Sequence, residues 1–157
     1  MEKEYTVYEK LVFGMRLGIL SSSYAILAVL FLKSILGIEF SSNDLDSPEL
    51  TFDSVDFLFL GFTLVVFAPV IEEFLFRLLP IKIGRIFGKK FLFLMIFLVS
   101  FILFGWIHGG PQYILIQGVS GLIFAYAFLK KGGYWTSVFA HATHNFVIFS
   151  AIILLSF

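Results

Sequence analysis

The sequence predicts an all-α protein: a polytopic transmembrane helical bundle of about five spans, with its N-terminus in the cytoplasm. Three observations carry this. Of 157 residues, 59% are hydrophobic and only 14% charged, against about 45–50% and about 25% in a soluble domain. The mean hydropathy is +0.98. Apolar runs of bilayer length also alternate with short segments that hold most of the charge.

A hydrocarbon core about 30 Å thick needs roughly 20 apolar residues. The first run is Leu11–Leu36, with Arg16 and Lys33 near its ends, where long basic side chains can snorkel. Ser21, Ser22 and Ser23 lie in its interior, which leaves a tilted, short or partly re-entrant segment open. Gly37–Asp56 reads as a polar loop with Glu39, Asp44, Asp46, Glu49, Asp53 and Asp56. The second run, Phe57–Leu79, is expected to stop at Pro80, which removes an interior hydrogen bond. Ile81–Lys90 then serves as a basic connector. The third span is Phe91–His108, ended by Gly109, Gly110 and Pro111. The fourth is Tyr113–Leu129, closed by Lys130, Lys131, Gly132 and Gly133, and the fifth is Tyr134–Phe157. Basic residues sit in the N-terminal segment, the second-to-third connector and the fourth-to-fifth connector. Five spans then alternate, with the N-terminus inside. The first ten residues mix Glu2, Glu4 and Glu9 with Lys3 and Lys10, unlike a cleavable signal peptide.

The charge balance is zero and there is no cysteine. A nucleic-acid partner, a disulfide framework, a thiolate zinc site and a cysteine nucleophile are therefore not expected. The expected partner is the lipid bilayer.

Charge at mid-bilayer costs about 2.5–3.5 kcal/mol per residue even on insertion scales. Yet the second span holds Glu72, Glu73 and Arg77. Glu73 and Arg77 are i, i+4 and can pair. Glu72 is rotated about 100° from Glu73 and has no such local partner. A carboxylate without its own countercharge in an apolar setting suits a general base. A solvated position near the membrane surface is the alternative, because Glu72 lies only about 12 Å from Pro80 along a helix.

All three histidines also fall within or at the ends of spans. His108 closes the third, and His141 and His144 lie in the fifth, where His141 and Asn145 share a face at i, i+4. Packing could explain any one histidine. Carboxylates and histidines on three helices most cheaply converge in the bundle interior, where a water held between them becomes a nucleophile.

Glu72-Glu73-x-x-x-Arg77, Phe104-x-x-x-His108 and His141-x-x-x-Asn145, in that order on three helices, resemble the motifs of the CPBP group. That group comprises CAAX prenyl endopeptidases and the bacteriocin-processing or immunity (Abi) proteins. The resemblance covers Phe57–Phe157 and divides the chain into an N-terminal segment, 1–56, and a protease core, 57–157.

It implies an intramembrane endopeptidase of a cell membrane, such as a prokaryotic plasma membrane. The implied substrate is a membrane-associated, leader-type or prenylated peptide. It implies that Glu72 and His108 activate water, and that His141 and Asn145 stabilise the oxyanion or hold the water. Glu73 would orient the site, with Arg77 as its counter-ion. No His-Glu-x-x-His occurs, so a helix-borne zincin is not expected. A zinc ion on Glu72, His108 and His141 stays open beside a metal-free water. His144 is outside the motif positions and reads as a packing or supporting residue.

A non-catalytic immunity or scaffold protein is the alternative function, and a proton or ion pathway a more distant one. One conflict remains at this level. From their cytoplasmic ends, Glu72 and His141 count about 12–15 Å deep and His108 about 27 Å. They meet only if the third helix begins outside the membrane, if Ile81–Phe93 shifts the register, or if the orientation is reversed.

Overall fold

The computed structural model describes residues 4–38 and 54–156. Glu2, Lys3, Phe157 and, from the expected acidic loop, Glu39, Asp44, Asp46, Glu49 and Asp53 lie outside the described residues. The regular structure among the described residues is entirely helical. Five helices are long and apolar enough to cross a membrane: α1 (Val7–Leu36), α2 (Asp56–Phe87), α3 (Lys89–Ile107), α4 (Pro111–Lys130) and α5 (Tyr134–Leu154). Large apolar side chains point outward along all five. The buried set includes Ser21, Ser22, Glu73, Arg77, Ser100, Ser120, Thr136, Ser137, His141 and His144. Polar groups inside and apolar groups outside is the arrangement lipid demands.

α1 begins four residues earlier than expected because Thr6 and Glu9 cap it. The Glu9 N–H donates to the Thr6 hydroxyl at 3.2 Å, and the Thr6 N–H donates to the Glu9 carboxylate at 2.9 Å. Its serines do not interrupt it. The Ser22 hydroxyl turns back on the Gly18 carbonyl at 2.9 Å, so it needs no partner in the lipid. Gly14, Gly18, Ser21, Ser22 and Ala25 form a buried small-residue seam. A Cβ at Gly18 would collide with the Ala140 carbonyl and Thr143, so the glycine sets how closely α1 meets α5.

Pro80 does not end the second helix, contrary to expectation. α2 runs on to Phe87 and turns into α3 at Gly88, whose φ of 96° suits glycine. The basic connector is thus the last turns of α2 and the first of α3. The reason is local. A wide π-turn, Phe74–Leu78, precedes Pro80, and the Ser100 hydroxyl of α3 donates at 2.9 Å to the Phe76 carbonyl. That carbonyl is the one an α-helix would pair with the N–H that Pro80 lacks. A related device occurs one helical segment earlier, at the carbonyl five residues before the proline. A second π-turn, Thr63–Phe67, precedes Pro69, and the Asn145 amide of α5 donates at 2.8 Å to the Leu64 carbonyl. Between the two wide turns, Ala68–Glu73 is ordinary α-helix, and it carries both glutamates.

The extension of α2 also resolves the conflict of depth. Glu72 lies fifteen positions before Phe87, the true end of the helix, so it sits about 22 Å from that end. α5 starts lower in the bundle than α2 ends: the Tyr134 hydroxyl already reaches the Val70 carbonyl at 2.7 Å. The helices do not start at one plane, and the three motif helices bring their polar residues to one level.

Candidate active site

Glu72 and Glu73 occupy the last turn of the α-helical segment between the two wide turns, a setting where π-insertions often mark function. Adjacent on the helix, they diverge. Glu73 points inward with a fully buried side chain, ion-paired with Arg77 Nη1 at 2.9 Å and hydrogen-bonded to His141 Nδ1 at 2.8 Å. Glu72 points into the space between α3 and α5. Its Oε2 lies 3.6 Å from His108 Nε2 and 3.8 Å from His141 Nε2. Those separations exceed direct hydrogen-bond length. Oε2 is nonetheless shielded from solvent and has no hydrogen-bond partner among the described residues. Buried oxygens are normally paired; Glu73 Oε2 is likewise without a hydrogen bond, but Glu72 Oε2 differs in facing two imidazole nitrogens.

Both imidazoles are oriented through Nδ1. His108 Nδ1 lies 2.6 Å from the Phe104 carbonyl. A carbonyl only accepts, so Nδ1 carries the hydrogen and Nε2 presents its lone pair to Glu72. His141 Nδ1–H is fixed in the same way by Glu73, which leaves Nε2 on the Glu72 side. His108 is no longer helical. At φ −86° and ψ 8° it ends α3 in the sparsely populated bridge region that many active-site residues use. Gly109 and Gly110, at φ 137° and 95°, then turn the chain sharply into α4.

The buried pair is wrapped in aromatic rings. The Arg77 guanidinium lies 3.9 Å from the Phe104 ring centroid and 5.3 Å from that of Phe124, so ring faces take the place of water around the cation. Phe124 stacks on His141 at 4.6 Å and 18°, and Phe104 packs on His108 at 4.5 Å. These contacts lock both imidazoles. Gly121 completes the enclosure, since a Cβ there would meet Arg77 Nη2 at 2.8 Å as well as the Ser100 carbonyl.

The structure therefore brings Glu72, Glu73, Arg77, His108 and His141 together. Asn145 is half-buried one turn beyond His141, with one amide N–H spent on the Leu64 carbonyl. His144 is buried edge-on against Phe124 at 5.6 Å, in keeping with a packing role. Glu72, His108 and His141 are neighbours, but no group of three His, Cys, Asp or Glu among the described residues is arranged to hold a metal ion. Sequence reasoning passed over Phe124, Gly121, Ser100 and Tyr134. The available signal was the run Gly118-Val119-Ser120-Gly121, small residues in a chain otherwise rich in Phe and Leu.

Fold and site together define a polytopic membrane protein with a carboxylate–histidine site built from three helices. Residues 54–147 match the family described as type II CAAX prenyl endopeptidase Rce1-like, and the chain belongs to that family. It is also 30% identical over 80 residues to the Bacillus subtilis (strain 168) protein named "Putative membrane peptidase YdiL". That match covers 51% of this chain and 32% of the relative, so the chain spans about a third of the protein it resembles. No solved structure matches the chain.

Proposed function

We propose that the protein is an intramembrane endopeptidase acting on a membrane-associated peptide, lipidated or carrying a leader, through a water activated by Glu72 and His108. The observation that carries this reading is the solvent-shielded, unpaired Oε2 of Glu72, faced by two imidazole nitrogens at 3.6 and 3.8 Å. A water between them would donate to Glu72 Oε2 and to His108 Nε2, making the hydrogen bonds that the direct distances do not permit.

In the proposed reaction Glu72 takes a proton from that water as its oxygen attacks the scissile carbonyl. His108 steadies the water through Nε2. The tetrahedral oxyanion is met by His141 Nε2–H, in the form protonated at both nitrogens, and by the second amide N–H of Asn145. Glu73 supports the imidazolium from below, as the carboxylate of a serine-protease triad supports its histidine. Glu72 then hands its proton to the leaving amine, and the carbon–nitrogen bond breaks. The basic residues in the N-terminal segment, Lys82–Lys90 and Lys130–Lys131 support a cytoplasmic N-terminus and entry to the site from that side.

The test uses the purified full chain in detergent with farnesylated and unmodified leader-type peptides, with and without a chelator. Glu72→Gln should keep the fold and reduce cleavage by about 10²–10⁴-fold, the usual worth of a positioned general base. A folded Glu72→Gln protein that cleaves as well as the parent would reject the mechanism and favour the non-catalytic immunity or scaffold reading.

A further inference from the structure

At the end of the bundle where α1 begins, a cavity of about 630 Å³ opens between the first residues of α1, the end of α2 and the α4–α5 connection. Its rim carries Lys10, Arg85 and Lys130 against a single carboxylate, Glu4, a formal balance of three positive charges to one negative. None of the three cations forms an ion pair among the described residues. They are unlike Arg77, which is neutralised in the interior, and unlike Lys131. The Lys131 ammonium is spent on the faces of Tyr5 and Phe13, at 5.5 and 5.1 Å from their centroids. That contact joins the start of α1 to the end of α4. The Lys10 side chain lies along Gly132, where φ is 85° and a Cβ would strike it. Lys10 is therefore held at the rim by chain geometry, and Arg85 and Lys130 line the same cavity. Apolar side chains complete the wall: Leu78, the buried Phe128 and the exposed Leu129.

We propose that this cavity binds the head group of an anionic phospholipid, its phosphate among Lys10, Arg85 and Lys130 and its glycerol and upper acyl chain on Leu78, Phe128 and Leu129. A phosphate needs several converging cationic donors, and basic pockets between helices at the membrane surface supply them. The apolar wall distinguishes a lipid from free phosphate, which would gain nothing from Leu78 and Phe128. Tyr134 forms part of the same wall while its hydroxyl holds the Val70 carbonyl, two residues before Glu72. A bound lipid thus braces the segment that carries the site.

The test measures thermal unfolding of the full chain in neutral detergent and does not depend on cleavage. Short-chain phosphatidylglycerol should raise the melting temperature in a saturable way, as a ligand of the folded state must. Phosphatidylcholine and inorganic phosphate at equal concentration should not. The double variant Arg85→Gln with Lys130→Gln, both exposed positions, should melt like the parent without lipid and need at least about tenfold more phosphatidylglycerol for half the shift; tenfold is about 1.4 kcal/mol. Equal stabilisation by inorganic phosphate would assign the cavity to a free anion and overturn the lipid reading. An undiminished shift in the double variant, or no shift in the parent, would overturn the site itself.

Discussion

Glu72 and Glu73 are neighbours in sequence and opposites in environment. Glu73 is 0% exposed and makes two charge-assisted contacts, to Arg77 and His141. Glu72 is 25% exposed beside His108 at 27%, and has no direct hydrogen bond at Oε2. One half of the polar cluster is closed and ion-paired through Glu73 Oε1, with Glu73 Oε2 enclosed without a hydrogen bond, and the other is open beside two imidazoles. The difference follows from the 100° step between adjacent helical positions, made permanent by Phe104, Phe124 and Gly121 around the inner half. A buried ion pair stands only when both partners and their donors are in place. The closed half therefore supports, and the open half is free to react.

Removing one charge from each half should separate them, and the closed half should show the largest effect on stability. Glu73→Gln strands the Arg77 guanidinium in a wholly buried site and should cost about 3–5 kcal/mol, the range for a broken buried pair. Glu72→Gln, with no partner to strand, should unfold within about 0.5 kcal/mol of the parent. Thermal unfolding of both variants in the same detergent checks this. Equal destabilisation would mean that Glu72 is also a structural member of the cluster and that the division into halves is false.

The fold was legible because hydropathy and basic residues act over twenty-residue windows, where single exceptions average out. The span count and the membership of the cluster followed from that and from the cost of charge in lipid. What misled was Pro80. Read alone it is a helix stop, and so Glu72 was counted from the wrong end. Its effect is cancelled by Ser100, twenty positions later on another helix, which no local pattern contains. The aromatic enclosure was hidden for a similar reason. In a chain with 22 phenylalanines, Phe104 stands out by its spacing from His108, but nothing local marks Phe124 as the second ring beside Arg77.

Asn145 stands at the border between the halves, and a second pair of variants sharpens its place. The Leu64 carbonyl has lost both backbone donors within reach. The Ala68 N–H is used by Thr63, and Pro69 has no N–H. Asn145→Ala should therefore cost about 1–2 kcal/mol, the upper range for an interhelical hydrogen bond in a membrane protein. Pro69→Ala restores a donor to that turn. In its background the further cost of Asn145→Ala should fall to near zero, giving a coupling of about 1 kcal/mol. Equal costs in both backgrounds would show that Asn145 does not serve the proline. Cleavage that stays impaired in the double variant, with stability restored, would assign its other N–H to the chemistry.

Ser100 makes the same kind of contact, and its effect should be smaller. The Phe76 carbonyl faces Pro80 at the fourth position on, but the fifth residue is Ile81, which keeps its N–H. The turn is already wide here, with the Leu79 N–H reaching back five residues to Phe74. Extending that pattern by two residues would let Ile81 take over the Phe76 carbonyl when the hydroxyl is gone. Leu64 has no such reserve, because its fifth residue is the proline. Ser100→Ala should thus cost only about 0.6 kcal/mol, near the mean for such bonds, by the same unfolding measurement. A loss as large as that of Asn145→Ala would mean that the wide turn is rigid at Pro80. The segment below Glu72 would then be as tightly specified as the segment above it.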